Sequence, residues 1–417
     1  MNSEITINLK TTKDNDENNI QFEIKGDEEN GLNKTVVNSI RRTLLSDIPT
    51  VGFRTLMESK DIHITTNNTS LHNEFLETRI SLVPLFINPY TYKKQYLFKL
   101  KVDSSETSEP FKKVYMNDFD IYPLKEGADI DKINDEENID QSNYDFANPV
   151  SEEGKKQIFR PFIYNGKDNY CLLTELKTTS SSNKQELELI GVPRVSTASE
   201  DAKWQSVSCA TYSFKNDEEL FEKVITEKIK VNEIEEDKQE EYKNSMRIAE
   251  AERYYHRDNN CEPYWYDFQI DSVHYLPSKD LFLNSCQIII DKLELLKSEF
   301  PKIISGEESI VELKVDQNVY TIYIDGFTDT IGSIIQSYIS THLIDDDDSD
   351  FMVCGYKRVH PLEELIKFNI SFNETKESIK TLNNQQKLTS LIKLFEDSCL
   401  GLITVYTSIK QEADNKL

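Results

Sequence analysis

The sequence predicts an α+β protein in which small antiparallel sheets carry helices on one face. Three observations predict it. Alternating apolar and polar segments come in adjacent pairs, such as EITINLK (4–10) and IQFEIK (20–25), as expected of strands with one covered face. Long stretches keep apolar residues at helical spacing, as in 32–45, 282–300 and 388–409. After a punctuated joint at 301–309 (PKIISGEES) the order of paired strands and helices starts again.

The organising stretch is GLNKTVVNSIRRTLLSDIP (31–49). Leu32, Val36, Val37, Ile40, Leu44 and Leu45 make one apolar stripe. Asn33 can cap the start, because its side-chain oxygen can accept a free backbone N–H. Pro49 turns Ile48 away from helical geometry, so the helix should stop at Ser46 or Asp47. Arg41 and Arg42 lie about 100° apart around it, so one borders the stripe and the other points away.

The remaining elements follow in order. Segments 50–57 and 60–66 read as strands, and 73–81 as a short helix with Phe75, Leu76 and Ile80 inward. Strands are expected at 96–102, 113–121, 160–164, 170–176 and 186–191. The acidic, turn-rich segment 124–156 reads as a solvated excursion. Segment 218–253 reads as one charged amphipathic helix, with Leu220, Phe221, Val224, Ile225 and Ile229 on a face. A strand at 264–276 leads into a long helix at 279–300, with Cys286, Ile289, Leu293 and Leu296 on one side. Beyond the joint, 310–315 and 319–324 read as a hairpin. Segment 329–343 reads as a helix carrying Ile331 and Ile335, and 366–372 as a strand. Segment 374–410 reads as a helix carrying Leu391, Phe395 and Leu402.

Composition excludes several functions. The chain has 417 residues and a formal charge of −26. It is long enough for about two to four domains. Wrapping DNA or RNA needs a surplus of Lys and Arg, so direct sequence-specific contact with nucleic acid is not expected. The six cysteines, Cys171, Cys209, Cys261, Cys286, Cys354 and Cys399, form no C-x-x-C pair, which speaks against a metal site and for reduced, mostly buried thiols. The acidic run Asp345–Asp348 reads as solvated loop, since consecutive aspartates do not by themselves converge on one ion. No apolar run reaches membrane-spanning length, and no signal sequence opens the chain. Gly-rich phosphate loops, G-x-S-x-G and H-E-x-x-H are all missing, so no catalytic residue and no cofactor are assigned.

Two signatures in order then carry a resemblance: NSIRRTLLSDIPT (38–50) and NTSLHNEFLETRISLVPL (68–85). Together they resemble the α-like subunits of multisubunit DNA-dependent RNA polymerases. The segment EDAKWQSVSCATYSF (200–214) is similar to the H-A-K-W-x-P segment of the larger α-like chains, with Lys203 and Trp204 matching and the His and Pro missing. TDTIGS (328–333) and GYKRVHPL (355–362) resemble two motifs of the smaller α-like partner, with Tyr356, His360 and Pro361 in the second.

The resemblance implies two α-like dimerisation modules paired within one chain. The first would comprise 1–85 and 261–300, split by an inserted α+β domain at 86–260; 301–309 would be the linker and 310–417 the second, smaller module. It implies a non-catalytic platform, one copy per complex, that holds the two largest polymerase subunits together with small assembly subunits. Arg41, Arg42 and Arg79 would face a large subunit. Leu32, Val36, Ile40, Leu44, Cys286, Ile289, Leu293, Leu296, Ile331, Ile335, Leu391, Phe395 and Leu402 would form the internal dimer interface. Each module alone is too thin to cover both faces of its helices, and pairing supplies the missing layer. Fusions of this kind resemble those of large cytoplasmic DNA viruses, which implies the host cytoplasm and the virion, or the nucleus for a cellular chain. Two other classes remain open: a stand-alone adaptor, and a carboxylate-dependent hydrolase, which random acids in so acidic a chain support poorly.

Overall fold

The computed structural model describes residues 5–10, 17–26, 30–56, 59–106, 110–128, 139–177, 184–250, 253–258, 261–316, 319–344 and 349–417. Asp345–Asp348 lie outside them. The chain divides into two compact units. One comprises Met1–Leu45, Ser208–Ser272 and Ser278–Leu417; the other comprises Ser46–Val207 and Val273–Pro277. The division differs from the insertion expected at 86–260. Residues 46–85 belong with the middle of the chain, because Thr50–Gly52 pairs with Arg194–Ser196 and Ile62–Asn67 pairs with Glu186–Gly191. Residues 208–260 belong with the first unit, because Val207–Phe214 joins its sheet.

The first unit contains two four-stranded antiparallel sheets. One has the spatial order Thr6–Lys10, Asn19–Lys25, Trp265–Ser272, Val207–Phe214. The other has the order Val311–Asp316, Val319–Asp325, Leu365–Phe372, Phe351–Arg358. Counted along the chain within each sheet, both orders are 1-2-4-3. In both, a helix follows strand 2: α1 (Lys34–Ser46) in the first half and, after counting the long helix α2 (Ser278–Glu299) that follows strand 4 there, α3 (Asp329–Tyr338) in the second. The long helix α4 (Asn384–Lys416) follows strand 4 of the second sheet. The two halves of this unit thus repeat one topology.

Alternation explains each sheet. Phe22 and Ile24 are buried, as are their cross-strand partners Phe268 and Tyr266. Phe282 of α2 meets the Phe22 ring edge-on at 5.1 Å. On the other face, Lys10 and Lys215 meet Glu23 and Asp267 at 2.5 to 3.7 Å. Burial alone would raise the Glu23 carboxyl, but Lys215 and Lys10 outweigh it and hold it below the usual carboxylate range. In the second sheet Ile322 and Ile324 lie opposite Phe368 and Ile366, all four buried.

Helix ends follow local chemistry. Asn33 accepts hydrogen bonds from the backbone N–H groups of Thr35 and Val36, and α1 stops at Ser46. Asn383 and Gln386 form a reciprocal cap at the start of α4. The expected helix at 374–410 is a short turn, Glu377–Lys380, followed by α4. The helix expected over 218–253 is two helices, Glu218–Val231 and Gln239–Ala249. Between them Glu233 takes a positive φ of 51°, which ends a right-handed helix. The joint is not plain linker: it holds the turn Lys302–Ser305, capped by Gly306 in left-handed geometry. Ser309 Oγ donates to Glu299 at 2.8 Å.

The second unit centres on a sheet of order Ile62–Asn67, Glu186–Gly191, Tyr96–Asp103, Asp120–Pro123. Both its faces are covered. Leu187 and Leu189 join a core with Phe53, Phe98, Phe119 and Phe159, while Ile190 and Val192 pack with Leu97 and Tyr144. The segment read as a solvated excursion therefore carries a buried anchor, Tyr144, whose hydroxyl donates to the Lys94 carbonyl. It ends in the helix Glu152–Ile158, capped by Ser151.

Candidate functional site

The interface between the two halves of the first unit is built from their helices. Helices α2 and α4 run antiparallel. Lys279 Nζ reaches the Asp414 carbonyl at 2.7 Å, Lys410 Nζ reaches Gln287 Oε1 at 2.6 Å, and the Phe300 and Phe395 rings lie 4.9 Å apart. Phe395 also meets Phe368 of the second sheet edge-on at 5.3 Å. Leu32, Val36, Ile40 and Leu44 are buried, as are Cys286, Ile289, Leu293, Leu296, Ile331, Ile335, Leu391, Phe395 and Leu402. All thirteen belong to this unit. Burial pushes the Cys286 and Cys399 thiols up to about 12, which makes them packing groups rather than nucleophiles.

Polar contacts fix the register of that interface. Ser39 Oγ donates to the Val36 carbonyl at 2.6 Å and lies 2.5 Å from the Tyr406 hydroxyl. The serine proton is committed to Val36, so Tyr406 donates to Ser39. Asn33 Nδ2 donates to Ser337 Oγ at 3.2 Å, which joins α1 to α3. Helices α3 and α4 approach so closely at Gly401 that a methyl group there would sit 2.0 Å from the Tyr338 hydroxyl oxygen.

The two motifs of the second half come together. Arg358 lies 3.6 Å from Asp329, and the Tyr356 ring covers Gly332. His360 Nδ1 accepts the Leu362 N–H at 3.2 Å and shapes the exposed turn that contains Pro361. His360 is thus a turn-forming residue here.

In the second unit the Lys203–Trp204 motif meets the end of the first signature. Thr50 Oγ1 donates to the Trp204 carbonyl at 2.9 Å, and the buried indole lies against Gly52, where a methyl group would sit 2.8 Å from Nε1. Lys203 Nζ lies 4.6 Å over the Trp204 ring and donates to Thr55 Oγ1. Beside them the buried Asp61 takes a two-pronged contact from Arg194 and the backbone N–H of Arg54. Arg54 in turn pairs with Glu200, which stands near the position where the larger α-like chains carry a His. This polar frame was not expected from the sequence.

The three arginines separate. Arg41 and Arg42 belong to α1 of the first unit and Arg79 to the second. Arg41 is half-buried and its Nε donates to Asn38; Arg42 is exposed. Arg79 is exposed, and its Nη2 donates to the Leu172 carbonyl at 2.7 Å. Phe75 corrects the expectation of an inward side chain: it is 69 % exposed. Helix Asn73–Ser81 buries Leu76 and Ile80, and Phe75 falls on the other side with Leu82, seven residues on and 63 % exposed. Phe75 and the C-cap residue Leu82 thus leave an exposed apolar patch on that side. The spacing of seven was the signal for it.

Among the described residues no three His, Cys, Asp or Glu side chains gather as metal ligands. Cys171 and Cys209 lie in different units. Also among the described residues, no helix is long and apolar enough to cross a membrane.

Comparison with known proteins gives one family. The model for the RNA polymerase Rpb3/Rpb11 dimerisation domain matches residues 28–293, well over half of the chain. No curated protein matches the chain. That domain is an assembly domain rather than a catalytic one, and it partners other RNA polymerase subunits. With α1, the first sheet's closing strands and most of α2 inside the matched span, the chain belongs to the α-like RNA polymerase subunit family and is an RNA polymerase assembly subunit.

Proposed function

We propose that this chain is a complete α-like heterodimer in one polypeptide, the platform on which a multisubunit DNA-dependent RNA polymerase is assembled. The first half corresponds to the larger α-like subunit and the second, from residue 310, to the smaller one. The observation that carries this is the antiparallel pairing of α2 with α4 between two sheets of identical strand order. The platform holds the two largest, catalytic subunits and the small assembly subunits, one copy per complex, and contributes no catalytic group. Arg41 and Arg42, and the Phe75–Leu82 face with Arg79, are the surfaces offered to the second-largest subunit. The fusion of two modules fits a large cytoplasmic DNA virus, acting in the host cytoplasm and packaged in the virion; in a cell the same chain would work in the nucleus.

Affinity purification of the tagged chain from its source, followed by native mass spectrometry, tests the reading. The expected result is one copy bound to both large subunits. Arg41→Glu with Arg42→Glu keeps the fold, since Arg42 is exposed, where charges contribute little to stability, and the half-buried Arg41 gives up a local hydrogen bond to Asn38. It abolishes capture of the second-largest subunit, because the new carboxylates meet like charge. Recovery of the wild-type chain alone would sink the assembly role and favour a free adaptor.

A further inference from the structure

The hairpin formed by Phe162–Tyr164 and Lys167–Asn169 in the second unit does nothing for that unit's core. All six of its strand residues are exposed. Three large apolar residues stand in a row, with Phe162 at 70 %, Ile163 at 68 % and Tyr164 at 63 % exposure. Successive strand residues point to opposite faces, so the ribbon is apolar on both sides. Its turn is tight: Asn165 and Gly166 both take positive φ, 50° and 71°, the geometry that matches strand twist. Soluble chains rarely leave such a contiguous patch bare unless something covers it.

The surroundings say what covers it. In a chain of charge −26, cations gather here: Lys156, Arg160 and Lys167. Arg160 holds its guanidinium 4.5 Å over the Phe86 ring, and Lys156 pairs with Asp168 at 2.8 Å across the base of the hairpin. Both cations also border a cleft of about 480 Å³ lined by Phe86, Gln95, Tyr96 and Tyr275. Aromatic and Arg side chains are the groups that most often anchor interfaces. Cations around an apolar anchor select carboxylates opposite them.

We propose that the hairpin Phe162–Asn169 is a docking finger that enters an apolar cleft rimmed by carboxylates on another subunit of the polymerase, with Arg160 pairing to that rim. The proposal rests on the assembly reading. Its test is made on the assembled polymerase carrying p-benzoylphenylalanine at Ile163, irradiated and mapped by mass spectrometry. The expected result is a cross-link to one other subunit, at apolar residues flanked by Asp or Glu. A variant with Phe162, Ile163 and Tyr164 each changed to Ser should keep the wild-type melting curve. It should bind that subunit at least about tenfold more weakly, as the loss of central anchors does. Arg160→Glu should weaken binding of the same subunit and no other.

A cross-link only to a second copy of this chain would overturn the proposal. So would wild-type binding by the triple-Ser variant within a complete polymerase, and that outcome would leave the assembly reading intact. Recovery of no polymerase subunit by the unmodified chain would overturn both.

Discussion

The two halves of the first unit follow one plan and are held by different chemistry. Each has strands in the order 1-2-4-3, a helix after strand 2 and a long helix after strand 4. The family match runs over residues 28–293, so within the first half it takes in α1, the two closing strands and most of α2, and it stops before the second sheet begins. The first half lets its chain leave after α1 and return at Val207–Phe214, whereas the second runs from α3 into Phe351–Arg358 without a second compact unit between. At the helix layer, α1 of the first half reaches α4 of the second through the buried Ser39–Tyr406 hydroxyl pair, whereas α3 reaches α4 within the second half through van der Waals contact at Gly401. A topology dictated by covering one face of a sheet tolerates both solutions. The common element is an apolar stripe at the right height, and the side chains that lock it are local inventions.

Breaking the shared element should have the largest effect. Ile40→Asp with Leu44→Asp places two unpaired charges in the helix layer and should cost more than about 5 kcal/mol, enough to unfold the unit in a denaturant titration. The equivalent pair in the other half, Ile331→Asp with Ile335→Asp, should cost the same within about 1 kcal/mol. If only one pair is damaging, the halves are not equivalent. By contrast, cutting the covalent joint should cost little. A protease site at Gly306, where nothing lies within 4 Å of an added Cβ, should cleave to completion while both fragments co-elute. Separation into two monomers would refute the paired reading.

The individual contacts of the helix layer, one between the halves and one within the second, should give smaller, separable effects. Gly401→Ala drives a methyl group into Tyr338 and should cost about 1–3 kcal/mol. In combination with Tyr338→Ala the loss should fall short of the sum, because the clash is then gone. Tyr406→Phe removes one buried hydrogen bond but leaves Ser39 satisfied by Val36, so about 1 kcal/mol is expected. Ser39→Ala orphans the Tyr406 hydroxyl in a buried site and should cost more than Tyr406→Phe. The reverse order, read by thermal or chemical unfolding, would mean that the hydroxyl pair is not the lock between α1 and α4.

What the sequence reveals and hides follows the range of the forces involved. Helix α1 was legible from end to end, because its stripe, the Asn33 cap and the stop before Pro49 are all local. The hairpin at 311–325 was legible for the same reason. The break at Asn232–Glu233 was not, since no Pro or Gly marks it and the apolar spacing continues on both sides. The side Phe75 takes is not legible, because a helix of nine residues shows too little periodicity to tell its two apolar faces apart. Tyr144 lay hidden in an acidic stretch whose composition said solvent. In the candidate site, the buried stripes of the helix layer were visible, but the Asp61–Arg194 pair and the Thr50–Trp204 bond were not. Both join residues more than a hundred positions apart.

The sheets also differ in how far the chain must travel to close them. In the second, Thr321 bonds Asn369 across a separation of 48 residues; in the first, Trp265 bonds Glu23 across 242. A fivefold longer loop adds about 1.4 kcal/mol of closure entropy, and that cost falls on the folding barrier before any contact offsets it. The order of events follows. The second sheet and α4 are expected to form early and present a finished apolar surface, and the first sheet to close later against that surface. Pulse-labelling hydrogen exchange during refolding should find the amides of Val319–Asp325 protected before those of Trp265–Ser272. The half that the family match reaches would then be the one that waits, templated by the half beyond the end of the match.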